Sequence, residues 1–291
     1  MRFGIVVLPD LAWSEARERW QAAEAMGFDH GWTYDHLVWA GMVGAPWAGS
    51  TPLLAAAAAV TSRIRVGTFV ASPNYRHPAV LYRDVQALET VSDGRMLLGV
   101  GVGGDLDSQL LGEALTVGGR VSRFEEFTRL LLRLRTEEVV SHAGRWFSLS
   151  GFPTATRPVR TPLLVAANGP RSLRFAAQYG DGWVTTGPAA TDLPDWFAAH
   201  ERAHRIIDET LAEAGRDPSA FRRYVSLDQA PRYSLADRGT FELLVTRAAA
   251  LGFTDVVVHW PRPEAPYAGS RATLESIAST LMPALRGHLR D

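Results

Sequence analysis

Apolar and polar positions alternate along the chain with two different periods. Short runs of β-branched or apolar residues predict strands, and each run precedes a longer stretch whose apolar residues have helical spacing. The strand candidates are residues 2–8, 28–34, 64–70, 95–100, 163–166, 182–185, 221–227 and 254–259. The helix candidates that follow them are residues 13–26, 52–61, 78–91, 122–136, 170–179, 193–214, 239–251 and 272–285.

Glycine, proline and capping residues support these boundaries. Gly27 and Gly215 stand where two helices should end, and Pro78 falls in the first turn of another. Residues 101–119 are rich in glycine and predict a loop after the fourth strand. Residues 139–162 interrupt the alternation with two glycines and three prolines, which predicts an inserted hairpin or excursion between helix 4 and strand 5.

Eight strand–helix units in 291 residues predict an α/β fold, a closed (β/α)8 TIM barrel that forms a single domain over residues 1–291. An open doubly wound sheet also alternates strands and helices, but it usually carries a dinucleotide fingerprint after an early strand. The glycines of residues 99–103 follow the fourth strand and have no prompt helix after them. The barrel is therefore the favoured fold.

Composition and charge exclude several classes of protein. The formal net charge of -1 argues against a nucleic-acid partner, and the longest apolar run, residues 53–60, is far shorter than the roughly 20 residues of a membrane helix. The first residues lack a signal-peptide pattern, so we expect a cytoplasmic protein with no membrane partner. The sequence has neither Cys nor Lys, which excludes thiol nucleophiles, Schiff-base lysines and P-loops.

In such a barrel the active site lies where the strands end, and small residues dominate those positions here. Gly101, Gly103 and Gly104 follow strand four, and Asn168 and Gly169 precede the fifth helix. Unhindered backbone amides and a helix N-terminus favour an anionic group such as a phosphate. The alternative is that these glycines only permit tight turns. Together the two loops predict a bound cofactor.

Three histidines lie near the predicted strand ends. His36 follows strand two beside Asp35 and is the candidate for proton transfer, the alternative being a capping role. For His77, which precedes Pro78, we expect a packing or capping role. His259 ends strand eight and points either into the site or into the barrel wall. His36, His259 and Asp228 lack the spacing of a metal site, so no metal is expected.

Several segments resemble one known family. Residues 27–36, GFDHGWTYDH, resemble the strand-two signature of the bacterial luciferase-like superfamily. Residues 63–68, 76–78 and 92–101 are similar to its third and fourth strand–helix units. Residues 166–170 and 180–183 are similar to its fifth and sixth. The resemblance covers nearly the whole chain.

This resemblance implies a (β/α)8 barrel that binds coenzyme F420 or FMN at the strand C-terminal end. His36 corresponds to the catalytic acid/base of the F420 branch, and Trp39 to a residue that shapes the pocket. A bulge at the end of strand three, with a non-prolyl cis peptide, would fall at Phe69–Val70 and back the ring together with Ala71. The cofactor phosphate would contact the strand-four and strand-five loops, and contacts after strand six would come from Thr185 and Thr186.

The chain departs from the sugar-phosphate dehydrogenases of that family. Those enzymes carry a Glu in the strand-four loop and Lys residues for the substrate phosphate, whereas Gly104 takes the Glu position here and Lys is absent. A small organic substrate that is mostly apolar or planar is therefore favoured. Its expected pocket residues, which could instead be core or rim residues, are Trp39, Trp47, Tyr75, His259 and Trp260.

These observations predict an oxidoreductase that transfers a hydride between coenzyme F420 and an organic substrate. His36 would exchange the accompanying proton, and Asp35 would orient His36 or have a structural role. The alternative in the same fold is an FMN-dependent monooxygenase. Outside that class, a non-redox barrel acting on a phosphorylated metabolite and a flavin-binding sensor remain open. The resemblance also implies a homodimer.

Overall fold

The computed structural model describes residues 1–154 and 160–288. In chain order its strands are β1 Arg2–Val6, β2 His30–Thr33, β3 Arg65–Ala71, β4 Met96–Val100, β5 Val139–Ala143, β6 Ser148–Pro153, β7 Leu163–Ala166, β8 Gly182–Thr185, β9 Arg222–Ser226 and β10 Asp255–His259. Eight of them pair in parallel and close a barrel in the order β1-β10-β9-β8-β7-β4-β3-β2. The predicted TIM-type barrel is confirmed.

Helices surround this barrel. Those of the described residues are α1 Trp13–Ala25, α2 Ser50–Val60, α3 Pro78–Val91, α4 Leu106–Leu110, α5 Val117–Thr136, α6 Pro170–Tyr179, α7 Leu193–Glu213, α8 Arg238–Ala250, α9 Arg271–Ser276 and α10 Met282–His288. A π-helical turn, Ile277–Leu281, joins α9 to α10. None of these helices is long and apolar enough to cross a membrane.

The region after β4 differs from its predicted form. Residues 101–119 contain the short helix α4, and α5 begins at Val117, earlier than the predicted start at residue 122. The Thr116 side chain caps α5 by accepting a hydrogen bond from the Gly119 amide at 3.1 Å. Two glycines in a first turn therefore do not prevent a helix that a cap stabilises.

The predicted excursion is the antiparallel hairpin β5–β6, inserted between α5 and β7. Glu126 of α5 holds it, because its carboxylate accepts the backbone amides of Trp146 at 3.2 Å and Phe147 at 2.9 Å. Residues 155–159 of the excursion, which include Pro158, lie outside the described residues.

The N-terminal end of the barrel is filled by ion pairs and large side chains. The buried Asp255 carboxylate accepts hydrogen bonds from Arg2 Nε at 2.8 Å and from Arg222 Nη2 at 2.8 Å. His30 Nε2 lies 3.1 Å from the same carboxylate, and His30 Nδ1 accepts from Trp32 Nε1 at 2.7 Å. Among the described residues, side chains thus occupy this end of the barrel, and the opposite end, where the strands finish, is where a ligand could enter the barrel.

Candidate functional site

A cavity of about 320 Å³ opens at the C-terminal end of the barrel, and we call it the mouth cavity. It lies over one half of the barrel, against β3, β4, β7 and β8. No charged side chain lines it among the residues that the structure describes. The lining residues are Tyr34, Phe69, Val70, Val102, Ala166, Ala167, Asn168, Gly169, Ser172, Val184, Thr185 and Thr186. Its size and lining are those of a small-molecule site.

Six of the residues predicted to contact a cofactor line this cavity: Phe69, Val70, Asn168, Gly169, Thr185 and Thr186. The register of β3 against β4 shifts between Thr68 and Ala71, and the Phe69–Val70 peptide is cis, as the resemblance implied. Ala71 is fully buried in the barrel wall and does not line the cavity.

The glycines after β4 shape the cavity without lining it. A Cβ on Gly101 would lie 2.6 Å from Val70 Cγ2 and 3.1 Å from the Ala166 Cβ, so a larger residue there would press on two lining residues. Gly103 has a φ of +72°. Hydrogen bonds fix this turn, since Asn74 Nδ2 donates to the Gly104 carbonyl and Arg120 to the Gly103 carbonyl. Val102 is the residue of this turn that lines the cavity.

The N-terminus of α6 forms one wall. Gly169 is its N-cap residue, and Ser172 Oγ accepts from the Gly169 amide at 3.2 Å. Beside it, Thr185 Oγ1 donates to Asn168 Oδ1 at 2.7 Å, and Asn168 Nδ2 donates to Thr186 Oγ1 at 3.0 Å. A helix N-terminus with adjacent amide and hydroxyl groups suits an anion. The phosphate position at this loop stays a prediction.

His36 does not line the mouth cavity but lies next to its lining residue Tyr34, with a ring-centroid distance of 6.2 Å. Its Nδ1 is 2.8 Å from Oδ2 of the buried Asp107 in α4, whose other oxygen accepts the Leu37 amide at 2.9 Å. Burial raises the pKa of the Asp107 carboxyl, but the hydrogen bonds from His36 and the backbone outweigh it and lower the pKa. Asp107 is thus the acceptor that orients His36.

Asp35 does not orient His36, so of the two roles predicted for it the structure supports the structural one. Its buried carboxylate accepts Arg76 Nη2 at 2.7 Å and Arg76 Nε at 3.0 Å, and Ser50 Oγ donates to it as well. The bidentate bond with Arg76 directs Asp35 toward α2 and α3. Adjacent residues beyond a strand end thus point to different partners.

Aromatic rings fill the other half of the mouth, and we call them the aromatic cluster: Tyr34, Trp39, Trp47, His259 and Tyr267. Trp39 contacts Tyr34 at a ring-centroid distance of 5.1 Å and Trp47 at 6.1 Å. Tyr267 stacks on His259 at 3.8 Å. Trp39 and Trp47 are thus placed beside the cavity, through Tyr34, but do not line it.

A buried polar chain runs through this cluster. Asp228 Oδ2 lies 2.9 Å from His259 Nδ1, and His259 Nε2 lies 2.8 Å from the Tyr34 hydroxyl, which in turn lies 3.0 Å from the Tyr267 hydroxyl. Because Asp228 accepts, we assign the Nδ1 proton to His259, which leaves Nε2 to accept from Tyr34. Burial raises the pKa of Tyr34 well above its usual value. Tyr34 therefore presents a neutral phenol to the cavity.

Two predicted pocket residues lie elsewhere. Trp260 points away from the barrel interior, and the Arg19 guanidinium of α1 lies 5.7 Å from the centroid of its ring. Side chains alternate between the two faces of a strand, and the buried His259 takes the inward position. Tyr75 does not line the cavity either, and its ring contacts the Arg76 guanidinium at 5.0 Å. His77 has the expected capping role, since its Nδ1 accepts the Ala79 amide at 3.2 Å.

Sequence reasoning missed three residues of the site: Tyr34, Asp107 and Tyr267. Tyr34 directly precedes the Asp35–His36 pair and could have been found from its position at a strand end. Asp107 lies in the short helix α4 and Tyr267 in the segment between β10 and α9, and both meet their partners only in the folded chain. No group of three or more acidic or histidine side chains in the described ranges could hold a metal ion.

A closed parallel barrel with an uncharged cavity at its mouth is typical of barrel proteins that bind small molecules. Comparison of the sequence with known families identifies the family. Residues 1–234 match the family model described as luciferase-like monooxygenase, and the chain belongs to this family.

Two curated relatives and one solved structure illustrate the similarity. The chain is 28% identical over 221 residues to a 5,10-methylenetetrahydromethanopterin reductase of Archaeoglobus fulgidus, covering 76% of this chain and 61% of the relative. It is 36% identical over 174 residues to an F420-dependent glucose-6-phosphate dehydrogenase of Beutenbergia cavernae, covering 59% and 52%. The chain thus spans about half to two thirds of these relatives. A coenzyme F420-dependent tetrahydromethanopterin reductase from Methanopyrus kandleri shares the fold, with a TM-score of 0.78, 18% identity and coverage of 97% and 99%.

Proposed function

We propose that this protein is a coenzyme F420-dependent oxidoreductase that transfers a hydride between the deazaflavin and a small organic substrate. The observation that carries this proposal is His36, held by Asp107 at the rim of an uncharged mouth cavity. The similarity to the two curated relatives and to the Methanopyrus structure supports it, since two of these proteins are named as F420-dependent and the third is named as a reductase.

The residues of the mouth cavity fit a flat ring with an anionic tail. Its walls are Phe69, Val70, Val102, Ala166 and Val184, which are apolar, and glycine at 101 keeps side-chain atoms out of the space between Val70 and Ala166. At one end the N-terminus of α6 offers backbone amides to a phosphate, with the polar side chains of Asn168 and Thr186 beside it. An apolar slot with polar groups at one end suits this shape of ligand.

The bound deazaflavin would supply the hydride chemistry, by accepting or donating a hydride. His36 supplies the proton step. With Asp107 accepting at Nδ1, that nitrogen carries the proton, and Nε2 is free to take a proton from the substrate or return one. When the substrate loses a hydride to the cofactor, its proton passes to His36; in the reverse direction His36 gives that proton back.

The aromatic cluster would contact the substrate. Trp39 and Trp47 are both partly exposed and lie next to Tyr34, which lines the mouth cavity. Flat apolar surfaces of this kind favour a planar or apolar molecule and exclude water from the reacting atoms. The neutral hydroxyl of Tyr34 offers one hydrogen-bonding group in that environment.

An FMN-dependent monooxygenase is the second candidate, and the uncharged lining of the mouth cavity favours it as much as it favours F420. Binding titrations of the purified protein with each cofactor separate the two. We expect tighter binding of F420 and turnover that does not require oxygen. Preference for FMN together with oxygen-dependent turnover would contradict the proposal.

A further inference from the structure

A second cavity, which we call the flank cavity, lies between α6 and α7 directly beside the mouth cavity. It measures about 240 Å³. Pro170 and Leu173 of α6 form one side, and α7 forms the other through Ala199, Ala203 and neighbouring residues. Asn168 and Thr185 line both cavities. The partition between them is therefore a pair of hydrogen-bonded side chains at the mouth of the barrel.

Two buried nitrogens at the flank cavity have no hydrogen-bond partner among the described residues. They are Nε2 of His200, which is 1% exposed, and Nε1 of the fully buried Trp196. Both face the space above Gly187, because a Cβ on Gly187 would lie 2.8 Å from His200 Nε2 and 2.7 Å from Trp196 Nε1. Gly187 has a φ of +70° and itself lines the cavity. Trp196 Nε1 can only donate, and a buried donor without a partner marks a place where an acceptor is missing.

The flank cavity carries one positive charge and no negative one among its described lining residues. Arg202 of α7 lines it, is exposed, and makes no ion pair within residues 1–154 and 160–288. The remaining wall is mostly apolar, with Leu173 and Ile206 among its members. The cavity is therefore an apolar slot with the Arg202 cation at its edge and the unpaired Trp196 N–H at its base. Such a slot suits a short aliphatic group that ends in a carboxylate.

We infer that the flank cavity receives the carboxylate-bearing tail of the cofactor, an inference that rests on the proposed function. FMN ends at its phosphate, whereas coenzyme F420 continues through a lactyl group into glutamate residues. A phosphate at the N-terminus of α6 leaves the next atoms of the tail beside Asn168 and Thr185. Beyond this partition the glutamate methylenes meet Leu173 and Ile206, and a carboxylate pairs with Arg202.

Binding titrations with two forms of the deazaflavin test this assignment. One form carries the glutamate tail, and the other ends after the lactyl group. We expect Arg202→Gln to raise the Kd of the tailed form about fivefold, as loss of one partly exposed ion pair does, and to leave that of the truncated form unchanged. Arg205→Gln is the matched control, because Arg205 is exposed on the same helix but does not line the cavity.

A variant that fills the cavity provides a second measurement. Ala199 is half-buried in α7, and Ala199→Leu keeps a good helix former while it occupies the space. It should weaken binding of the tailed form only, with thermal unfolding showing that the fold is retained. Equal affinity of wild type for both forms, or equal weakening of both by Arg202→Gln, would overturn the inference. Failure of wild type to bind either deazaflavin would overturn the proposed function, and the inference with it.

Discussion

Around the mouth of the barrel, the strands β3, β4, β7 and β8 end in small or flexible residues, whereas β2 and β10 lead into large rings. The first half, which we call the open half, holds the mouth cavity, with Ala166, Ala167 and Gly169 in its wall. The second half, which we call the closed half, is filled by the aromatic cluster, where the rings of His259 and Tyr267 stack at a centroid distance of 3.8 Å. The difference shows that one rim can combine an open cavity with a packed aromatic wall beside it.

The two halves also use buried carboxylates differently. Asp107, which follows β4 in the open half, accepts from His36. The His36 side chain follows β2 and is 21% exposed. Asp228 accepts from His259, whose side chain is 1% exposed in the closed half. Geometry is similar in both pairs, at 2.8 and 2.9 Å, so solvent and ligand access is what separates them. The accessible pair is therefore the one that we propose to react, and we expect a structural role for the enclosed one.

The largest expected effect is on catalysis at the open half. His36→Ala removes the group that exchanges the proton, so turnover should fall by roughly 10²–10⁴-fold while cofactor affinity stays nearly constant. Steady-state kinetics and a binding titration measure the two quantities. His142→Ala is the matched control, since His142 pairs with Glu126 at 3.1 Å on the distant hairpin. Unchanged turnover in the His36 variant would remove this histidine from the mechanism.

A substitution in the closed half should lower the stability of the fold. Asp228→Ala leaves His259 and the backbone amide of Ser234 without their buried acceptor, and we expect the free energy of unfolding to fall by about 3 kcal/mol. Chemical denaturation measures this change. Glu275→Ala breaks an exposed pair with Arg271 and should cost less than about 0.5 kcal/mol. A stable Asp228 variant with lost activity would instead make the closed half part of the catalytic machinery.

The open half could largely be predicted from the sequence, and the closed half could not. Small residues that follow successive strands are visible in the chain and led to Asn168 and Gly169, whereas the family resemblance led to Phe69, Val70 and Thr185. The aromatic wall of the closed half depends on contacts between residues far apart in sequence. The hydroxyl of Tyr34, for example, lies 3.0 Å from that of Tyr267, 233 residues further along the chain. Such pairs depend on how loops return over the barrel, which local patterns do not specify.

The same reason explains the errors at individual residues. His36 was found from its place after β2, but its partner Asp107 lies 71 positions away in a helix within a predicted loop. Asp35 was the adjacent carboxylate, yet Arg76 and Ser50 hold it. For Trp260, strand alternation alone would have placed the side chain outside the barrel once His259 pointed in.

Filling the open half should affect binding without unfolding the protein. Ala166 is half-buried in the cavity wall, and Ala166→Leu places additional methyl groups where the ring of the cofactor would lie. We expect cofactor affinity to fall by about thirtyfold, the equivalent of about 2 kcal/mol of overpacking. Ala48→Leu, an exposed position near the closed half, is the control for added bulk. Equal affinities in the two variants would mean that the cavity is not the cofactor site.

The last prediction concerns the pH dependence of stability at two buried histidines, His200 and His204. Burial lowers the pKa of His200 to about 4 and that of His204 to about 3, so both are neutral in the folded protein near neutral pH. The unfolded chain takes up protons at these histidines near pH 6.5, before the folded chain does. Stability should therefore be complete above about pH 6.5 and fall by about 1.4 kcal/mol per pH unit for each histidine as the pH drops toward 4. His200→Gln should remove one such contribution in denaturation series between pH 7 and 4.5, and an unchanged slope would show that His200 is already charged or solvated in the fold.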